Sequence, residues 1–338
     1  ALVRMTLDSF AQHRYQMHTL LRQFVTEKLV TLGLAAATTQ ARHSAYYLAF
    51  LQQQAPRLLG KEQQQAVQAM STELDNIRAA LAWAIGAGNS ALLRKTLDPL
   101  YSFYQIQSRY LEGKEFFVAA LTQWQAAQQQ RDELAQVVEL SLLARCGALS
   151  YLLCEYHIAG AYLQAALLLA EQLDVQHERA LILNFLGRLA MWQGEKAQAK
   201  QQLLQSLTIS QMLGDMDRTA SALEKLANLI HATFGEYRER KTLALQSLQI
   251  SRTLGRPDRI AYALDTLGFA TFCLGEYGDA EAYYQESLHT FEHSGDQYGQ
   301  AMALGGLALV LLGIGQRTLH RCDHLLSAKP FRLSRARA

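Results

Sequence analysis

The histidines and cysteines are the side chains here best suited to acid–base, nucleophilic or metal chemistry, and their spacing supports none of it. His157, His177, His231, His289, His293, His320 and His324 are scattered. No serine–histidine–aspartate set and no pair of carboxylates falls at useful spacing, so an enzyme is not expected. Cys146, Cys154, Cys273 and Cys322 form neither a CxxC pair nor a Cys/His ligand pattern. They read as free thiols in a reducing, cytoplasmic setting, the first three buried, with no metal site. No GxxxxGK[ST] phosphate loop occurs, so the chain alone holds no tight nucleotide site. What remains is recognition. Asn184, Asn228 and Asp265 each stand among leucines at helical spacing, where a polar group would be wasted on a buried face.

The elements that must position these residues repeat. The steps from Cys154 to Gly194, Gly235, Gly275 and Gly315 are 40, 41, 40 and 40 residues. Each unit opens on a small residue (Cys146-Gly147, Leu186-Gly187, Leu226-Ala227, Leu267-Gly268). Each continues through Cys154-Glu155-Tyr156, Gly194-Glu195, Gly235-Glu236-Tyr237 or Gly275-Glu276-Tyr277. A second half carries Ala166-Leu167, Ser206-Leu207, Ser247-Leu248 or Ser287-Leu288 and closes on Asp174, Gly214, Gly255 or Gly295. Apolar residues recur at helical spacing in both halves, so each unit is predicted to be a helical hairpin. The small residue lets two helices approach, the Gly-Glu pair turns the chain, and the closing residue takes a left-handed cap. Asp215, Pro257 with Asp258, and Asp296 then start the next helix.

This pattern resembles the tetratricopeptide repeat, in a version with an extended second helix. The resemblance rests on Leu183-x-x-Leu186-Gly187, Gly194-Glu195, Ala199, Leu203 and Ser206-Leu207. It rests again on Leu264-x-x-Leu267-Gly268, Gly275-Glu276-Tyr277, Ala280, Tyr284 and Ser287-Leu288. It implies an all-α, right-handed superhelical solenoid in which the first helix of every hairpin faces a groove. Carried over residue by residue, it puts Asn184, Arg188 and Met191, then Glu224, Asn228 and His231, then Tyr262, Asp265, Phe269 and Phe272 on that lining. Such a mixture suits a protein or an extended peptide. The Leu226 unit departs by one extra residue before Gly235 and by Arg240 in place of a small alanine, which implies a looser turn. A last copy begins at Leu304-x-x-Leu307-Ala308, and its second helix is barely recognisable.

Residues 1–32 differ in style. Leu2 to Met5 and Arg14 to Met17 read as two short strands, and Thr19 to Leu32 as an amphipathic helix with Leu20, Leu21, Phe24 and Leu29 inward. Two strands and one helix cannot bury a core alone, so more of that domain is expected before Ala1. Tyr15 to Phe24 resembles the end of the winged-helix subdomain of bacterial NB-ARC/STAND signalling ATPases, with Met17-His18-Thr19 at the place of a Met-His-Asp motif. Glu73 to Ala84, preceded by Arg42-His43-x-x-Tyr46-Tyr47-Leu48, is similar to the segment that opens the helical sensor region of such regulators. The resemblance gives His18 a contact to the β-phosphate of a nucleotide. It also implies an upstream nucleotide-binding domain, with ADP or ATP expected only there and no cofactor in this chain. The chain would then be the sensor arm of a signalling or transcriptional regulator. The alternative is a free-standing tetratricopeptide adaptor or peptide receptor.

The organisation that follows is a winged-helix remnant (1–32), a helical linker with atypical hairpins (33–127), repeats (128–315) and a C-terminal cap or basic tail (316–338). In the linker, helices are predicted over Gln40 to Leu59, Glu62 to Ile85 with Ser71 as the joint if it is two, Ala91 to Gln107, and Leu111 to Gln125. The aromatic residues Tyr101, Phe103, Tyr104, Tyr110, Phe116, Phe117 and Trp124 suit packing between solenoid segments more than a ligand cradle. The glutamine runs at 52–54, 63–65 and 128–130 belong on solvated helix faces. A formal charge of +2 gives no global basic field, so direct nucleic-acid binding is not expected. No secretory core and no run of about 18 apolar residues is seen, which predicts a soluble protein away from membranes.

Overall fold

The computed structural model describes residues 3–7, 13–17, 19–31, 34–127, 132–229, 234–294 and 296–327. Strands β1 (Val3–Leu7) and β2 (His13–Met17) pair antiparallel, with Val3 opposite Met17 and Leu7 opposite His13, and α1 (Thr19–Thr31) follows. Everything after is helical hairpins. The first is α2 (Leu34–Leu58) with α3 (Gln63–Gly86); the second is α5 (Leu97–Ile106) with α6 (Tyr110–Ala127), preceded by the single turn α4 (Ser90–Leu93). Four hairpins make the repeats: α7 (Glu133–Leu152) with α8 (Tyr156–Gln172), and α9 (Gln176–Gln193) with α10 (Lys196–Met212). Then come α11 (Met216–Leu229) with α12 (Phe234–Leu254), α13 (Pro257–Cys273) with α14 (Tyr277–Ser294), and finally α15 (Gln297–Ser327).

The repeat signature acts as the spacing predicts. A β-carbon on Gly187 would sit 2.7 Å from Leu203, and one on Gly147 2.7 Å from Leu163, so only a hydrogen lets the two helices of each hairpin meet. Gly194 ends α9 at φ 82°, and Gly214 turns at φ 67° before Asp215, whose Oδ1 accepts the Arg218 amide at 3.0 Å. The recurrent serine has its own task. Ser206, Ser247 and Ser287 donate to the carbonyls of Ala180, Ala220 and Ala261 at 2.7, 2.9 and 2.9 Å. Each joins the second helix to the first through a buried, satisfied hydrogen bond.

First helices of successive hairpins pack on one another: α7 on α9, α9 on α11, α11 on α13, and α13 on α15. Each second helix packs between its own first helix and the next one. First helices therefore line the inside of the curve.

Several expectations are corrected. Helix α3 runs through Ser71 without a joint because Ala66, Met70, Leu74, Ile77 and Leu81 keep one buried stripe across it. The predicted Ala91 to Gln107 helix is broken at 94–96, since the ring of Pro99 clashes with the carbonyl four residues earlier and fits only the first turn of α5. Gly235-Glu236 lies inside α12 rather than at the turn, which falls in 230–233, outside the described residues together with Gly295. Of the cysteines only Cys146 is buried; Cys154 is exposed and Cys273 intermediate. Gln54 and Gln63 are buried, not solvated; the run 128–130 lies outside the described residues. The aromatics are packing: Phe103, Tyr104, Phe117 and Trp124 are fully buried.

Helix α15 changes two further readings. Its backbone stays helical to Ser327, so the repeat rhythm stops before the helix does. Its stretch Gln297–Gly315 has a mean hydropathy of 1.6, so one helix is long and apolar enough to span a bilayer, contrary to the sequence reading. Ala303 packs with Ala261 and Phe291, and Val310 with Ala280 and Tyr284, while Leu304, Leu311 and Leu312 on the other side are exposed.

Candidate functional site

Two groups of polar side chains occupy the inner wall. The first lies where the N-terminal ends of the first helices converge. Asp98, in the first turn of α5, meets Arg145 of α7, His177 of α9 (Nε2 at 3.4 Å) and Arg218 of α11 (Nη2 at 4.0 Å). Arg145 is 1 % exposed and also pairs with Glu178, whose other oxygen accepts from Ser141 Oγ at 2.7 Å. Burial opposes charging of Asp98, but Arg145, His177 and Arg218 outweigh it and hold the carboxyl well below the usual range. The network continues through Asp217, which binds Arg256 (2.7 Å) and Arg259 (3.1 Å), to Asp258, which binds Arg256 (2.5 Å) and Gln63 (3.1 Å). Burial and the guanidiniums again compete at Asp258, and Arg256 wins, lowering it.

The second group is on α11, α12 and α13. Asn228 Nδ2 donates to Glu224 (3.2 Å), and its Oδ1 accepts from Arg240 (2.9 Å) and Thr266 (3.3 Å). Glu224 also pairs with Lys225 at 2.7 Å. Asp265, one helical turn before Phe269, lies within electrostatic reach of Glu224, Arg240 and Lys225. Burial and the Glu224 carboxylate push it up to about 6 against the two cations.

That shift has a testable sign. A carboxyl raised in the folded state favours folding while it is protonated, below the ordinary value of 3.8, and this contribution is lost as pH rises through about 6. Asp265→Asn will therefore be more stable than the parent at pH 7 by roughly 2 kcal/mol, with the difference vanishing near pH 4. Urea unfolding of both proteins at the two pH values checks this; an equal difference at both would refute it.

The lining residues inferred from the repeat pattern do not form one site. Glu224, Asn228 and Asp265 come together. Asn184, read as one of the strongest candidates, is 7 % exposed and buried against its neighbours, because α7 and α11 both pack on α9. Arg188 stands apart, its Cζ 4.4 Å from the Tyr151 ring and 4.7 Å from the Phe185 ring. Met191 packs with Ala190, Ala199 and Leu229. Tyr262 donates to Asp296 at 2.8 Å, Phe269 lies under Arg240 at 4.4 Å, and Phe272 meets Tyr277 at 5.6 Å. His18 and His231 lie outside the described residues.

Sequence reasoning missed Lys225, Arg240 and Thr266, and the whole ladder from Asp98 to Asp258. Its signal was the charge cluster after each closing residue, Asp215-x-Asp217-Arg218 and Arg256-x-Asp258-Arg259, read only as helix starts. Arg240, which stands where the repeat has a small alanine, is the other sign: 5 % exposed, it reaches Asn228 on the preceding helix.

Residues 260–293 match the tetratricopeptide repeat family. No curated protein matches the chain. Among solved structures, a Rap protein complexed with competence and sporulation factor is 15 % identical, with a TM-score of 0.55 over 82 % of this chain and 73 % of its own. A signal-transduction ATPase with numerous domains (STAND) carrying a tetratricopeptide repeat sensor, from Pyrococcus horikoshii, is 13 % identical with a TM-score of 0.50. That match spans 91 % of this chain and 47 % of the archaeal protein. At such identities the shared property is the fold: stacked helical hairpins of tetratricopeptide type.

Proposed function

We propose that the chain is a non-catalytic sensing scaffold, the tetratricopeptide arm of a cytoplasmic STAND-type signalling or transcriptional regulator, whose inner wall receives a protein or peptide. The observation that carries the reading is the Glu224–Asn228–Asp265 cluster. It sets an amide, carboxylates and cations on successive first helices, facing the inside of the curve beside Phe269, a donor and acceptor set suited to an extended backbone with apolar anchors. Further support comes from solved structures of the same fold that are a STAND sensor in one case and a peptide-factor complex in another. The strand pair and α1 are then the end of a winged-helix subdomain, residues 33–127 a linker, and His18 a contact to nucleotide held by an upstream domain.

Two measurements test it. Calorimetry with ADP on the chain extended upstream is expected to give binding that His18→Ala weakens; an upstream segment without a phosphate loop would sink the regulator assignment. For the wall, a displayed library of random octapeptides is selected on the parent protein, and the Asn228→Ala/Asp265→Ala double variant is expected to bind the selected peptides at least about tenfold more weakly. Unchanged affinity with intact helicity refutes the site.

A further inference from the structure

In a solenoid each repeat touches only its neighbours, so a contact between distant repeats sets the pitch of the superhelix. One such contact is present. The turn between α2 and α3 reaches the turn between α12 and α13: Gln63 Nε2 donates to Asp258 Oδ1 at 3.1 Å, across 195 residues, while also binding the Leu58 carbonyl at 3.1 Å. Gln64 Nε2 donates to the His293 carbonyl at 3.3 Å, across 229 residues. The Lys61 stem lies against Gly255, where a β-carbon would be 2.5 Å from its Cγ. Gly255, at φ 71°, thus serves the turn and the approach together. On the near side the turn is preformed, since Arg57 binds Glu62 at 2.6 Å, Gln54 at 2.9 Å and Gln65 at 3.3 Å.

We propose that this contact is a clasp that closes the first hairpin onto the sixth and gates access to the inner wall, so that a ligand of the wall and the closed superhelix are coupled. The proposal rests on the wall being the binding surface. Physically, the clasp is the weak joint of the molecule. Neighbouring hairpins share continuous apolar packing, whereas the clasp has two neutral hydrogen bonds between uncharged donors and single acceptors, and one lysine stem. A joint of that kind favours the closed form by roughly ten- to a hundredfold, within reach of a ligand with different affinity for the two forms. Opening it requires no repeat to unfold, because a solenoid extends by small rotations at every interface.

The test compares the parent with Gln63→Ala/Gln64→Ala. Small-angle scattering reads the superhelix, and phenylglyoxal modification of Arg188, followed by peptide mass mapping, reads access to the wall. The double variant is expected to have a larger radius of gyration, unchanged helicity, and Arg188 modified at least about threefold faster. An unchanged radius overturns the clasp, and a larger radius with an unchanged Arg188 rate overturns the gate. If the double variant loses helicity, Gln64→Ala, whose side chain is exposed, must give the same changes at smaller amplitude, and their absence refutes the proposal. Peptide binding lost through Asn228 and Asp265 stands or falls separately, so the two readings fail in distinguishable ways.

Discussion

Glu178→Ala is expected to destabilise the protein by about 3–5 kcal/mol, the largest effect of any single polar substitution in the repeats. The reason is what it leaves behind. Arg145 is 1 % exposed, its Nε has no hydrogen-bond partner, and its Nη1 is held by Glu178 and by the Ser141 carbonyl at 3.1 Å. Without Glu178 the guanidinium keeps only Asp98, which it shares with His177 and Arg218, and Ser141 Oγ loses its acceptor. The double variant Arg145→Leu/Glu178→Leu removes both charges and should cost less than Glu178→Ala alone. Because a solenoid can unfold in parts, amide hydrogen exchange within α7 and α9 should accompany urea unfolding. A double variant as unstable as the single one would show that the pair contributes through packing rather than charge.

Gly306→Ala is expected to cost about 2–3 kcal/mol, and Tyr284→Leu should restore most of it. In the earlier repeats the small residue of the first helix faces Leu163 or Leu203 from the second. The corresponding residue against Gly268 is Tyr284, whose ring would be 2.9 Å from a β-carbon there. The ring extends beyond the space a leucine fills and meets Gly306 of α15, where an added β-carbon would lie closer still. Tyr284 is 2 % exposed and cannot swing away. Thermal unfolding of the two single variants and the double one decides the matter. Additive losses, with no rescue by leucine, would mean that Gly306 serves the backbone of α15 rather than the Tyr284 ring.

The hairpins were legible because their causes are local. A small residue, a turn and a left-handed cap recur at fixed offsets, and each acts within one unit or against the next. Even the serine whose hydrogen bond was not foreseen stood out as a repeated letter. The linker was less legible at Pro99 and Ser71, where one residue weighs against a stripe of apolar neighbours and either can prevail. The lining was legible in part. Glu224, Asn228 and Asp265 meet as expected, but Asn184 is buried by helices whose closeness depends on curvature.

What the sequence by itself determined is therefore the repeating unit: two helices, their facing residues, and the order in which they stack. Curvature belongs to the tertiary structure. It is the sum of small rotations at every interface, and no single residue encodes it. It brings the ends of four first helices within reach of Asp98 and Asp217, turning helix-starting residues into one charge network. It also carries Gln63 to Asp258 across the superhelix. Contacts between residues so far apart in the chain form only after each intervening turn has taken its angle.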